Sequence, residues 1–200
     1  MPREPTAVPI PIEVSAHHVH LCAEDIEALF GKGAALTPEH ELSQPGQFAC
    51  KEAVHLIGPK GRIDRVRVLG PARKATQVEI AMTEGYRLGL KPPIRESGRV
   101  EGSPGIILEG LAGRVTLTQG VICALRHVHL SPSEAQLLGV NDKQVLRIRI
   151  EGDRELIYGD VLARVHPDFR LAMHVDTDEA NAANLRTGMT GFLDGIQDHV

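Results

Sequence analysis

A 200-residue chain with 42% hydrophobic and 24% charged residues has an ordinary globular composition, long enough for one large domain or two small ones. Aromatics are only 3%, Trp is absent, and the formal charge of −4 comes without a dense Lys/Arg run, which argues against a nucleic-acid binder. Three cysteines without a C-x-x-C pair (Cys22, Cys50, Cys123) argue against a disulfide framework and for a reducing cytoplasm, and no apolar stretch suggests a membrane span or an export signal.

Met1 to Pro11 is Pro-rich. Ile12 to Leu21 reads as the first strand. A helix follows from about Ala23 to Phe30, with Ile26, Leu29 and Phe30 on its apolar side and Gly31 and Gly33 ending it. Ala34 to Ala49 is a turn-rich insertion. Ala53 to Ile57 and Arg62 to Leu69 form a hairpin across Gly58-Pro59-Lys60-Gly61, with polar and apolar residues alternating at Arg65-Val66-Arg67-Val68. Gly70-Pro71 interrupts the pattern, Thr76 to Ile80 resumes it, and Thr83 to Leu88 is a short helix closed by Gly89. A long loop, Lys91 to Gly105, leads to strands at Ile106 to Leu108 and Arg114 to Leu117.

From Val121 the pattern repeats, because Val121 to Leu130 matches Ile12 to Leu21. Ser131-Pro132-Ser133-Glu134 opens a helix with an N-cap Ser, Pro at N1 and Glu at N3, and Gly139 ends it. Strands are expected at Gln144 to Ile150, Glu155 to Tyr158, Asp160 to Val165 and Leu171 to Val175. A helix from Asp178 to Leu185 follows, capped near Asp176 or Thr177, and Thr187-Gly188 begins a tail with room for one more strand. The chain reads as two related β-rich units with short helices.

The chemistry is concentrated in two copies of one phrase, Ala16-His17-His18-Val19-His20-Leu21 and Leu125-Arg126-His127-Val128-His129-Leu130. On a strand, residues two apart share a face, so each phrase presents two imidazoles to one metal ion. Ten His in 200 residues would produce roughly half of one His-x-His pair by chance, so two pairs in similar contexts carry a real signal. His17 points away from the pair. Glu79 and His174 occupy matching places at strand-to-helix junctions and complete candidate sets His18, His20, Glu79 and His127, His129, His174. Three ligands leave an open position, the arrangement of a catalytic zinc. An anionic set lowers the first ion's net charge, whereas a neutral set leaves the second more electrophilic. Arg73, with Lys74, could hold a phosphate or carboxylate beside the metal, and Lys60 and Arg67 could extend a basic patch. His40, His55, His166 and His199 read as ordinary core or surface histidines, and the cysteines as small core residues, with Cys22 as a candidate reactive thiol.

These phrases, with Leu42-Ser43-Gln44-Pro45-Gly46-Gln47-Phe48-Ala49, Thr76-Gln77-Val78-Glu79-Ile80, Gly102-Ser103-Pro104-Gly105-Ile106 and Met173-His174-Val175-Asp176-Thr177-Asp178-Glu179-Ala180-Asn181, resemble the PduL-type phosphotransacylases, or phosphate propanoyltransferases. The resemblance spans about Val8 to Asn184. It implies interconversion of short-chain acyl-CoA plus phosphate with acyl phosphate plus CoA, at a dinuclear zinc site between two β-barrels. The implied fold is mainly β (α+β): two interleaved antiparallel β-barrels capped by short α-helices. One barrel would take residues 7–16 and 125–194, and the other residues 17–124 with an insertion at about 31–51. The implied ligands are His18, His20 and Glu79 for one zinc and His127, His129 and His174 for the other, with Arg73 binding phosphate. Val14, Ser15, Ala16, Lys60, Arg67 and Asn181 fall where the family contacts CoA.

The chain departs from the family at His17, where Arg is usual; the second copy keeps Arg126. Met1 to Pro11 does not resemble the amphipathic extension that directs many members to a bacterial microcompartment, so a free cytoplasmic enzyme is expected, with the microcompartment lumen as the other location and no shell association. Acyl-CoA and phosphate are the expected partners, with no nucleic acid or membrane, and a homodimer is compatible with the sequence. Two other functions fit the residues: a zinc-dependent thioester hydrolase, and a non-catalytic metal-stabilised β-barrel binding module.

Overall fold

Short strands punctuated by Gly and Pro turns build this chain, described for residues 8–197 by a computed structural model. The first seven residues of the Pro-rich opening, the expected barrel start at residue 7 and His199 lie outside the described residues. The first half runs β1 (Ile10–Ser15), β2 (His18–His20), α1 (Ala23–Phe30), β3 (Pro38–Glu41), β4 (Phe48–Ile57), β5 (Arg62–Gly70), β6 (Gln77–Glu79), α2 (Met82–Leu88), β7 (Ile94–Arg95), β8 (Ile106–Glu109) and β9 (Arg114–Leu117). The second runs β10 (Val121–Ala124), β11 (His127–Leu130), α3 (Pro132–Leu138), β12 (Val145–Ile150), β13 (Leu156–Val165), β14 (Ala172–Asp176), α4 (Thr177–Ala182) and β15 (Thr190–Ile196).

Local chemistry explains the boundaries. In β5, Ile63, Val66 and Val68 are buried while Asp64, Arg65 and Arg67 face solvent, the alternation of a half-buried strand. The turn joining β4 to β5 needs Gly58, because a Cβ there would lie 2.4 Å from the Leu88 carbonyl oxygen at the end of α2. Helix α3 starts with a capping box, in which Glu134 N–H donates to Ser131 Oγ at 3.3 Å and Ser131 N–H donates to Glu134 Oε2 at 2.7 Å. It ends on Gly139 in the left-handed region. Asp176 caps α4 in the same manner.

The chain forms two compact units. Residues 8–15, Ser43–Pro45 and 125–197 make a closed barrel in the order β1-β14-β11-β13-β12-β15. Ile10, Ile12, Val128, Leu146, Ile148, Val161 and Met173 are in its core. Ala16–Leu42 and Gly46–Ala124 make a nine-stranded curled sheet in the order β7-β10-β6-β2-β5-β4-β8-β9, with β3 paired to β4. Val19, Leu56, Val68, Val78 and Val121 are in its core.

The mainly β, two-unit architecture is as the sequence implies, with four refinements. First, the expected continuous strands Ile12 to Leu21 and Val121 to Leu130 are each broken, into β1 with β2 and β10 with β11. The chain passes from one unit to the other at each break, so no single sheet could hold both pieces. Second, the ladders are mixed: β1–β14, β11–β13, β2–β5, β10–β6 and β10–β7 are parallel. Long connections, some carrying helices, precede most of these pairs and permit the parallel direction. Third, one unit closes and the other stops at a half-barrel. In the barrel β15 pairs with both β1 and β12. In the sheet the corresponding places belong to two different strands, β7 on β10 and β8 on β4. Finally, the two strands expected at Glu155 to Tyr158 and Asp160 to Val165 are one strand, β13, with Asp160 at φ 50 where its pairing with β12 slips.

Candidate active site

In the sheet unit β2 lies between β5, parallel, and β6, antiparallel. The ladder sets Val19 beside Val68 and Val78 in the core. Period-two alternation therefore turns His18 and His20 to the other face, with Glu79 directly across from His18. Each imidazole is oriented by a backbone carbonyl: His18 Nδ1 lies 2.9 Å from Ala16 O and His20 Nδ1 3.2 Å from Leu69 O. With Nδ1–H donating there, the Nε2 lone pairs face Glu79, 3.5 Å away for His18 and 3.9 Å for His20. Glu79 Oε1 accepts from Gln77 Nε2 at 2.5 Å and Ser97 Oγ at 2.8 Å.

Burial dominates the protonation of this cluster. It pulls His20 down to about 3, helped by His18 and Arg73. Burial also opposes charge on His18, but the Glu79 carboxylate outweighs it and leaves His18 above the ordinary histidine value. Burial alone would raise Glu79, yet His18, His20 and the Ser97 hydrogen bond hold it well below the carboxylate range.

The barrel unit repeats the arrangement. Strand β11 lies between β13, parallel, and β14, antiparallel, with His127 directly across from His174. His127 Nδ1 is 2.9 Å from Leu125 O, as His18 is from Ala16 O. The His127 ring centroid is 4.6 Å from that of His129 and 5.1 Å from that of His174. Phe169 covers His129 with ring centroids 4.3 Å apart. Burial pulls His129 down to about 2, with His127 and His174 adding to the effect.

In each unit the candidate ligand atoms lie within 4.8 Å of one another. His129 Nδ1 is buried with no hydrogen-bond partner among the described residues, a cost that a bound cation would remove. Nitrogen donors, with one carboxylate in the sheet unit, suit zinc and neighbouring divalent metals. The residues present therefore fit the implied ions.

The two registers also expose residues that sequence reading missed. Across the barrel ladder the row is Glu13, His174, His127, Leu162; across the sheet it is Ile122, Glu79, His18, Arg67. Glu13 Oε2 stands 3.7 Å from His174 Nδ1. Each histidine pair thus has one carboxylate in its row, so the charge contrast expected from the ligand sets alone is reduced. Nothing in the sequence marks Glu13 or Ser97, because one needs the parallel β1–β14 register and the other the path of a loop.

His17 and Arg126 are also counterparts. His17 Nδ1 pairs with Glu84 Oε1, and Arg126 Nη1 donates to Glu179 Oε1 at 2.7 Å. Glu84 and Glu179 each sit at the third position of the helix after the third candidate ligand and accept from an N-cap N–H, of Ala81 and Asp176. The histidine therefore keeps the tether that the arginine makes.

Arg73 is half-buried; its N–H donates to Leu21 O at 2.9 Å and its Nη1 to Ser97 Oγ at 3.3 Å. Its charge lowers both His18 and His20, which places it electrostatically beside that cluster. Arg67 faces His18 in the ladder, but its guanidinium pairs with Glu39 and donates to Cys50 O at 2.7 Å. Lys60 is exposed at the far turn of the same hairpin, where its N–H donates to Leu88 O at the end of α2 at 3.0 Å. Ala16 is exposed beside β2; Val14 and Ser15 are partly buried on β1, and Asn181 is exposed on α4. All three cysteines, Cys22 included, are buried, and none is in a disulfide among the described residues. His55 pairs with Asp64 and His166 with Asp168, while His40 is exposed on β3; none joins a candidate cluster.

The phosphate propanoyltransferase family model matches residues 11–186. The chain belongs to the phosphate propanoyltransferase family. It is 56% identical over 178 residues to the phosphate propanoyltransferase of Thermotoga maritima, covering 88% of this chain and 85% of the relative. It is 51% identical over 183 residues to that of Leptotrichia buccalis, with 92% and 87% covered. To that of Listeria monocytogenes it is 47% identical over 184 residues, with 92% and 86% covered. As a phosphate propanoyltransferase family member it is an acyltransferase of the phosphotransacylase type.

Proposed function

We propose that the chain interconverts short-chain acyl-CoA, propionyl-CoA or acetyl-CoA, and phosphate with acyl phosphate and CoA, using two zinc ions. His18, His20 and Glu79 would hold one and His127, His129 and His174 the other. The pair of matched three-donor clusters in a chain of this family is the observation that carries the reading.

In the forward direction a phosphate oxygen forms a bond to the thioester carbonyl carbon, the carbon–sulfur bond breaks, and CoA leaves as the thiolate. Zinc, when bound, supplies Lewis-acid stabilisation of an oxyanion or thiolate. Arg73 binds the phosphate bidentately and offsets its charge as it approaches the carbonyl. The carbonyls of Ala16, Leu69 and Leu125 hold the imidazoles in the ligating tautomer. Val14, Ser15, Ala16, Lys60, Arg67 and Asn181 are proposed to contact CoA, with Lys60 and Arg67 offering cationic contacts to its phosphates. No helix among the described residues is long and apolar enough to cross a membrane. The cytoplasm is the proposed location, with a microcompartment lumen as the other.

The test is CoA release from acetyl-, propionyl- and butyryl-CoA with and without phosphate, before and after chelation. Phosphate-dependent release that chelation abolishes and zinc restores is the expected result. Acid release without phosphate would indicate a hydrolase instead. Unfolding on chelation, with no turnover of any acyl-CoA, would indicate a binding module.

A further inference from the structure

A loop residue outside both candidate clusters joins two parts of the sheet-unit site. Ser97 follows β7, which pairs with β10 at the sheet edge. Its Oγ–H donates to Glu79 Oε1 at 2.8 Å, while the same oxygen accepts from Gln77 Nε2 at 3.0 Å and from Arg73 Nη1 at 3.3 Å. A hydroxyl has one proton and two lone pairs, so this one is fully used. Gln77 is almost wholly buried, and its orientation follows from its partners. Its Oε1 accepts from Gly98 N–H at 2.7 Å, which leaves its amide nitrogen to donate to Glu79 and Ser97. Glu79 Oε1 therefore holds two donors, and Oε2 is the oxygen turned to His18 Nε2.

We propose that Ser97 is a positioning residue that couples the Arg73 guanidinium to the Glu79 carboxylate, aligning the phosphate-binding group with a zinc ligand. The inference rests on the reading of Arg73 and Glu79 given above. Without the hydroxyl, the Arg73 guanidinium loses one acceptor, the one that ties it to Glu79, and a buried carboxylate oxygen loses one of its two donors. Both phosphate capture and retention of one zinc ion then suffer together.

The experiment compares holoenzyme carrying Ser97→Ala, Ser97→Thr or Arg73→Ala with the parent, in steady-state kinetics and in zinc competition against a chromophoric chelator. Ser97→Ala should raise the phosphate KM about tenfold while the acyl-CoA KM stays within about twofold, the size of one lost charge-assisted hydrogen bond. One of the two zinc ions should be held about 10–100-fold less tightly and the other unchanged. Ser97→Thr, which keeps the hydroxyl, should return both quantities to within about threefold of the parent. Zinc loss with an unchanged phosphate KM, or no change in either, would overturn the coupling. Failure of the underlying reading looks different: Arg73→Ala would then leave the phosphate KM unaltered.

Discussion

Replacing Glu13 with Gln should selectively weaken binding of the zinc ion proposed for the barrel unit. The carboxylate stands 3.7 Å from His174 Nδ1 on the adjacent parallel strand, placed to orient the imidazole and raise its basicity. Two unit charges at that distance interact by about 4 kcal/mol at an effective dielectric of 20 and by about 1 kcal/mol in bulk water. The Glu13 side chain is 26% exposed, so screening brings the effect toward the lower figure, about 1–3 kcal/mol. That corresponds to roughly 5–150-fold in zinc affinity. The sheet unit has Ile122 at the matching register position and no carboxylate to lose there. A chelator-competition titration in a Glu79→Ala background, which disables the sheet-unit cluster, reads the barrel ion alone. Glu13→Gln should lower that affinity, and the same change in a His129→Ala background should leave the sheet ion unaffected. An unaltered barrel-site affinity, or a weakened sheet-site ion, would refute the reasoning.

Other positions carry further expected outcomes. His129→Ala removes a buried candidate ligand and should abolish one equivalent of bound zinc and the phosphate-dependent CoA release together; full activity with one zinc equivalent missing would count against the two-ion reading. Burial raises the Cys50 thiol to about 11, with Glu52 adding, so Cys50 in the folded protein should resist alkylation at pH 8. Because the folded pKa lies above the unfolded one, the associated stability is complete below about pH 9 and declines as pH rises toward 11, which urea titrations at pH 8 and pH 10 would measure. Gly58→Ala would drive a Cβ to 2.4 Å from the Leu88 carbonyl oxygen and should cost about 1–3 kcal/mol in denaturant unfolding; a neutral result would show that the turn shifts freely.

Much of the fold was legible because its signals are local. The Ser131–Glu134 capping box, Pro132 and Gly139 delimit α3 from sequence alone, since each acts within one turn of the helix. The β4–β5 hairpin was visible in its turn and its alternation for the same reason. The breaks after Ser15 and Ala124 were not visible. The residues on both sides of each break are good strand formers, and what separates β1 from β2 is the sheet each one joins. Ladder direction and closure were hidden likewise, since β15 closes the barrel through partners far away in the chain.

The candidate site divides along the same line. The doubled His-x-His phrases, their period of two and the family resemblance determined the two imidazole pairs and the kind of chemistry they suit. Glu79 and His174 could be nominated from the repeat, but only the ladders set Glu79 across from His18 and His174 across from His127. Glu13, Gln77 and Ser97 were beyond reach. Their roles come from a parallel register and from a loop laid against β6, and such contacts between distant parts of the chain leave no periodicity in the sequence.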